Sequence, residues 1–333
     1  MFRGKLIAVA IGSSAIGLIA SSVSLTSTAS AAPRTQTASG VCGVAGTGTP
    51  TYKHVIVIME ENHSYNTIIG SGTGAPYING LAKSCGLATT FHNISHPSLP
   101  NYIAITSATA IGGLSRFDSD CNPGGSCLSS SQSLFSQVAT KGGWKSYEES
   151  MSSPCDGSSS GGYAPKHNPA VYYTDISSAT CKASDVPLGT LSNSPLLKDF
   201  SSEASAPAFA LVTPNLNDDM HDGSVSAGDT WLNKWMTKLT ATTVYKANDT
   251  AIFIIWDEGE GGSYSSGENC TTHASDVSCH VAALVVAPSV PAGTSVSTTF
   301  THYSFVRTVE ELLGLPLLNQ AKSAKSMVAA FKL

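Results

Sequence analysis

The sequence predicts an α/β protein built on a mostly parallel sheet covered on both faces by helices. Two apolar runs, 55–59 and 251–256, carry the prediction, because buried parallel strands read as continuous β-branched stretches. Helical patterns fall between such runs, which is the alternation of a covered parallel sheet. Both runs end in carboxylates, Glu60-Glu61-Asn62 after the first and Asp257-Glu258 after the second. Ligands gather outside the carboxyl ends of parallel strands. Two distant strands therefore deliver hard oxygen donors to one edge, which points to a shared metal site.

The elements follow in order. Residues 1–31 read as a signal peptide. Arg3 and Lys5 supply its charge, 6–20 its apolar stretch, and Ala29-Ser30-Ala31 a small-residue cleavage site. Gly12, Ser13, Ser14 and Gly17 interrupt that stretch and argue against an anchor. No later segment approaches the ~20 apolar residues that span a bilayer, so a secreted product without stable membrane insertion is expected. Residues 32–50 read as a flexible entry segment and 51–333 as a single domain. Strands are expected at 54–59, 89–92, 144–147, 208–212, 251–256 and 281–287. Helices are expected at 78–85, at 101–108 after Pro100, at 133–140, around Trp231, Leu232, Trp235 and Leu239, and at 305–313 before Gly314. A Ser/Gly-rich stretch at about 151–187 reads as an excursion from the core.

All eight cysteines (Cys42, Cys85, Cys121, Cys127, Cys155, Cys181, Cys270 and Cys279) follow the leader, and no C-x-x-C occurs. Disulfides are the expected use. Cys121–Cys127 and Cys270–Cys279 read as local clips, with Cys155–Cys181 and Cys42–Cys85 as open pairings among the 105 that eight cysteines allow. The formal net charge is −5, and loss of Arg3 and Lys5 takes it to about −7. With cations scattered singly, nucleic acid and anionic membrane surfaces are not expected partners.

Four polar clusters follow strand-like runs: Glu61-Asn62-His63, His96-Pro97-Ser98-Leu99-Pro100-Asn101, residues 215–222 with Asp219, His221 and Asp222, and Asp257-Glu258. Only 12% of the chain is charged, so a carboxylate at a strand end is a stronger signal here than in an ordinary surface. Ser98 stands close to the start of the expected helix, where the dipole favours an anion. A serine hydroxyl needs a base or a metal to act as a nucleophile, and the bland reading is a helix-capping serine. His96, His167, His221, His280 and His302 are candidate ligands or proton donors. His54, His92 and His273 have no assigned role. There is no G-x-S-x-G, H-E-x-x-H or P-loop pattern, and the glycines near 70–72 and 259–262 are too weak to mark a dinucleotide site.

Met59-Glu60-Glu61-Asn62-His63-Ser64-Tyr65, Ser98-Leu99-Pro100-Asn101, Asn217-Asp218-Asp219-Met220-His221-Asp222 and Trp256-Asp257-Glu258-Gly259 occur in one order. This resembles the phosphoesterase family of the alkaline-phosphatase superfamily, which includes non-specific phospholipases C and metal-dependent acid phosphatases. The resemblance implies a three-layer α/β/α sandwich with a metal at the carboxyl edge of its sheet. It implies metal ligation by Glu61, Asn62, Asp257 and Glu258, with Ser98 as the transiently phosphorylated nucleophile. His221 or His96 would protonate the leaving alcohol, and Asn62, Asn101, His167, Asp219 and His280 would line the phosphate. Two departures stand out: Gly259 where relatives often carry histidine, and Tyr102 where many carry a basic residue. Both remove positive charge.

The expected function is phosphate-ester hydrolysis on a monoester or small diester. The alternatives are a phospholipase C acting on phospholipid head groups, hydrolysis of sulfate or phosphonate esters, and a secreted metal- or phosphate-binding protein without turnover. The carboxylate-rich set suits Ca²⁺, Mg²⁺ or Mn²⁺, and added histidines admit Zn²⁺. A monomer is expected.

Overall fold

His54–Glu60 (β1) and Thr250–Trp256 (β6) bury all seven of their residues, so both faces of the sheet are covered where they lie. They pair in parallel and in register, from His54 with Thr250 to Glu60 with Trp256. The computed structural model describes residues 40–44, 51–263 and 265–333. The expected leader and most of the entry segment lie outside the described residues.

The remaining strands are Gly86–His92 (β2), Trp144–Glu148 (β3), Asp185–Pro187 (β4), Phe209–Thr213 (β5), His280–Val286 (β7), Thr294–Val296 (β8) and Phe300–Thr301 (β9). Among the described residues they form one sheet in the order β4-β3-β5-β1-β6-β7-β2-β8, with β9 also on β2. All neighbours are parallel except β7, which runs against both β6 and β2. The reversal has a local cause. Among the described residues the connection from β6 to β7 contains no crossover helix, so β7 starts at the edge where β6 ended and must run back.

The expected helix after Pro100 starts three residues earlier and spans Ser98–Ser107, with every residue buried. It packs against His302–Leu312, while Pro76–Ser84 packs against Val225–Leu239. The second pair is pinned electrostatically, since Asp229 accepts the amides of Tyr77 and Ile78 at 3.1 and 2.8 Å. A carboxylate there satisfies N–H groups that a helix start leaves unpaired.

The Ser/Gly-rich stretch is more than an excursion, because its end forms edge strand β4 beside β3. Its middle lies against the Ser98–Ser107 helix, where Tyr173 and Thr106 share a hydroxyl hydrogen bond of 2.7 Å. Four disulfides form, Cys42–Cys85, Cys121–Cys127, Cys155–Cys181 and Cys270–Cys279, with Cα separations of 5.4, 6.1, 5.4 and 5.2 Å. No helix among the described residues is long and apolar enough to cross a membrane.

Candidate active site

The carboxyl ends of β1 and β6 converge as the sequence predicts. The ladder continues one step beyond the strands, with the Asp257 amide donating to Glu60 O at 3.0 Å. Asn62 then turns the chain with a φ of 46°, a left-handed conformation that asparagine tolerates better than most residues. Its amide donates to Asp257 Oδ1 at 3.2 Å, tying the two strand ends together. Glu61, Asp257 and Glu258 are all buried at this edge.

Ser98 is the first residue of its helix, and its hydroxyl makes no capping bond. Instead its Oγ lies 3.0 Å from Glu61 Oε2, 3.3 Å from Glu258 Oε1 and 3.5 Å from Asn62 Oδ1. The capping alternative therefore fails. Asn101 requires a correction of another kind. Its Oδ1 accepts the amides of Ile94 and Ser95, and its Nδ2 donates to the carbonyls of Ser95 and Pro97. That carboxamide is spent on shaping the loop that presents Ser98, and none of it is left for phosphate.

Three histidines flank the carboxylates in different ways. His96 is fully buried, its Nδ1 bonded to Glu258 Oε2 and its Nε2 3.2 Å from Ser278 Oγ. Cys270 and Cys279 also approach that ring, but they are bonded to each other and offer no thiolate to a metal. His167 Nε2 stands 3.3 Å from Glu61 Oε1 and its Nδ1 3.4 Å from Asp219 Oδ2, with the Tyr102 ring stacked on it at 5.2 Å. His221 is partly exposed, with Nδ1 2.8 Å from Asp222 Oδ1. Its backbone amide donates to Asp219 Oδ1 at 2.8 Å.

Lys166 is the residue the motifs missed. Its Nζ lies 3.1 Å from Asp120 Oδ2 and 3.4 Å from His221 Nε2. It places a cation near Glu61 from the Ser/Gly-rich stretch, where the helix itself carries Tyr102. Asp120 was equally invisible, since it sits in a turn just before Cys121 with no strand before it. The only available signal was the adjacency of Lys166 to His167.

His280 stands at the same sheet edge but is otherwise engaged. It stacks on Tyr65 at 4.5 Å, and its Nε2 donates to Thr89 O at 3.0 Å. Gly259 also has a local reason. A Cβ there would stand 2.7 Å from Ser278 O and 2.6 Å from Ser64 Oγ, so this backbone path leaves no room for a side chain such as the histidine the resemblance implies.

Burial dominates the electrostatics. Desolvation pushes the Glu61 carboxyl well above its usual range, with Asp257 and Asp219 adding repulsion. Asp257 is raised for the same reason, then by Glu258. Burial also takes Glu258 up to about 8 and Asp219 up to about 7. Desolvation lowers His167 well below the usual imidazole range, and Lys166 adds to that. Burial works to lower Lys166 itself, but Asp120 and Glu61 outweigh it and leave the ammonium raised.

Those carboxylates need a proton or a cation. Glu61 Oε1, Asp257 Oδ2, His167 Nε2 and Asp219 Oδ2 are buried without a hydrogen-bond partner, which fits a donor set built for a metal. Glu61, His167 and His221 also present ligand atoms within 4.8 Å of one another.

A mostly parallel sheet with buried carboxylates and a serine at its carboxyl edge defines an alkaline-phosphatase-like hydrolase. Solved structures agree on the fold. A Vibrio parahaemolyticus protein of the alkaline phosphatase superfamily superposes with a TM-score of 0.55 at 12% identity, covering 80% of this chain and 67% of that one. A phosphonate monoester hydrolase from Silicibacter pomeroyi gives 0.53 at 11% identity, with 84% and 76% covered. The chain belongs to the Phosphoesterase family, whose model matches residues 71–316. Among curated relatives, a phosphatidylinositol-3-phosphatase of Mycobacterium tuberculosis is 30% identical over 85% of this chain and 84% of its own length. An acid phosphatase of Aspergillus fumigatus is 26% identical over 89% of this chain and 62% of its own length. The protein is a hydrolase acting on phosphoric esters.

Proposed function

We propose that this protein is a secreted, metal-dependent phosphatase that cleaves soluble phosphomonoesters or small phosphodiesters through a phosphoserine at Ser98. The observation that carries the proposal is the Ser98 hydroxyl, buried between Glu61 and Glu258 at the first turn of a ten-residue helix. Four disulfides support an oxidising, extracellular setting. The only large hydrophobic side chains exposed among the described residues are Val44 and Val277, which favours a water-soluble substrate over a lipid surface.

Glu61, Asn62, Asp257 and Glu258 would hold the divalent cation. When bound, it would lower the pKa of the serine hydroxyl and neutralise phosphoryl oxygens. Ser98 Oγ attacks phosphorus in line while the bond to the alcohol oxygen breaks, and a carboxylate beside the hydroxyl takes its proton. His221 suits the leaving alcohol better than His96. It is partly exposed and oriented by Asp222, whereas His96 is buried behind Glu258 and positions that carboxylate. Water then cleaves the Ser98 O–P bond, giving its protons to the serine and the released phosphate. Lys166 offers a fixed positive charge to the phosphoryl group, with Asp120 orienting it.

The test is turnover of p-nitrophenyl phosphate and bis(p-nitrophenyl) phosphate by Ser98→Ala, with mass spectrometry of acid-quenched wild-type protein. Loss of at least about 10³-fold in kcat and a phosphate adduct on the Ser98 peptide are expected. Near wild-type turnover by the variant would refute the assignment.

A further inference from the structure

At the opposite edge of the sheet, His54 opens β1, about 20 Å along the strand from Glu60 at 3.3 Å per residue. The ring is buried, and its Nδ1 lies 2.8 Å from Pro207 O. A carbonyl only accepts, so Nδ1 carries a proton and Nε2 is the ring nitrogen left to meet a second partner. Nε2 faces Glu203 Oε2 at 3.4 Å.

A third donor stands beside them. Asp249 is buried, and its Oδ1 has no hydrogen-bond partner. Its place is fixed by the backbone, because its carbonyl accepts the amides of both Lys53 and His54 at 2.9 and 3.2 Å. His54, Glu203 and Asp249 present ligand atoms within 4.8 Å of one another. Two donors bound at 2.0–2.1 Å in a tetrahedron sit about 3.4 Å apart, which matches the Nε2–Oε2 separation. A histidine whose second nitrogen is fixed by a backbone carbonyl is the usual metal-binding form. The existing cation is Lys53, an exposed ammonium 2.7 Å from Asp249 Oδ2 and 3.3 Å from Glu203 Oε2.

We propose that His54, Asp249 and Glu203 form a structural zinc site at the amino-terminal edge of the sheet, separate from the catalytic carboxylates. One imidazole and two carboxylates suit Zn²⁺ or a borderline ion such as Co²⁺. Solvent completes the fourth position, since Glu203 is partly exposed. The ion would clip the connection before β5 to the first residues of β1 and the residue before β6.

The experiment compares chelator-stripped full-length wild type with Glu203→Gln and Lys53→Met by equilibrium dialysis against Zn²⁺, read by metal analysis, and by visible titration with Co²⁺. Glu203 is at the surface, so its substitution leaves the core intact. Wild type should bind one zinc per chain that Glu203→Gln binds at least tenfold more weakly, while p-nitrophenyl phosphate turnover is unchanged. Removing the competing ammonium in Lys53→Met should tighten the same ion. Equal zinc stoichiometry and affinity in wild type and Glu203→Gln would overturn the proposal and leave the His54–Glu203 contact as a hydrogen bond without a metal.

Discussion

Lys166 and Asp120 form an ion pair at the start of the Ser98 helix. The ammonium stands 3.1 Å from Asp120 Oδ2, while Asp120 Oδ1 accepts the Leu99 amide at 3.0 Å. One of the N–H groups that a phosphate would use is therefore already taken by a side chain. In the proposed mechanism the positive charge offered to a substrate comes instead from Lys166, on a separate segment.

Replacing that ammonium isolates its contribution. Lys166→Met should lower kcat/KM for p-nitrophenyl phosphate by about 10²–10³-fold, and Lys166→Arg should recover part of the loss. Thermal melts of both variants should stay close to wild type. A change of less than threefold in Lys166→Met would show that the ammonium does not face the phosphate.

Gly259 yields a prediction about stability. The backbone carbonyl of Ser278 stands 2.7 Å from a built Cβ and also accepts the Gly259 amide at 2.9 Å, so it cannot move away cheaply. Gly259→Ala should cost about 1–3 kcal/mol by overpacking, read by urea unfolding with metal present. Gly259→His should cost at least as much and add no activity. A neutral alanine variant would show that the strand end relaxes freely.

The two strand ends were legible because their chemistry is local. An apolar run that stops at a carboxylate states both the strand and the donor, and Glu61, Asn62, Asp257 and Glu258 all meet Ser98 or one another. Lys166 and Asp120 were not legible, because neither follows a strand and their meeting depends on how a long Ser/Gly-rich segment folds back over a helix. Asn101 misled for the opposite reason. Its neighbours announce a site, yet its carboxamide closes four backbone bonds in the loop. The reversal of β7 was also hidden, since a fully buried strand has the same apolar pattern in either direction.

A second buried acid pair lies farther along the same sheet edge, at the carboxyl end of β3. Asp185 is raised to about 7, first by burial, and Glu148 is raised well above its usual range by burial and by Asp185. The folded protein holds these protons more tightly than the unfolded chain. Stability from this pair is thus complete below about pH 4 and is lost as pH rises toward 7. Asp185→Asn keeps an oxygen for the Asn168 Nδ2 donor at 2.9 Å and abolishes the titration. It should add about 2–4 kcal/mol at pH 7.5, from the gap between 3.8 and about 7, and little at pH 4. Denaturant curves at the two pH values check it, and an equal effect at both would exclude titration as the cause.

The carboxylates around Ser98 make the same argument with a switch attached. Stripped of metal, Glu61, Asp257 and Glu258 all have raised pKa values in the fold, with Glu258 at about 8. The folded apo-protein therefore binds more protons than the unfolded chain, and its stability should fall as pH rises from about 4 to about 8. A divalent cation reverses the preference by binding the ionised carboxylates. Saturating metal should flatten that fall, and metal affinity should strengthen with rising pH as protons are displaced. Melting temperatures measured from pH 4.5 to 8.5, with chelator and with Mg²⁺, Ca²⁺, Mn²⁺ or Zn²⁺, test both halves. The ion that gives the largest high-pH stabilisation should also restore the most turnover. Parallel pH curves with and without every ion would mean that these carboxylates do not bind metal.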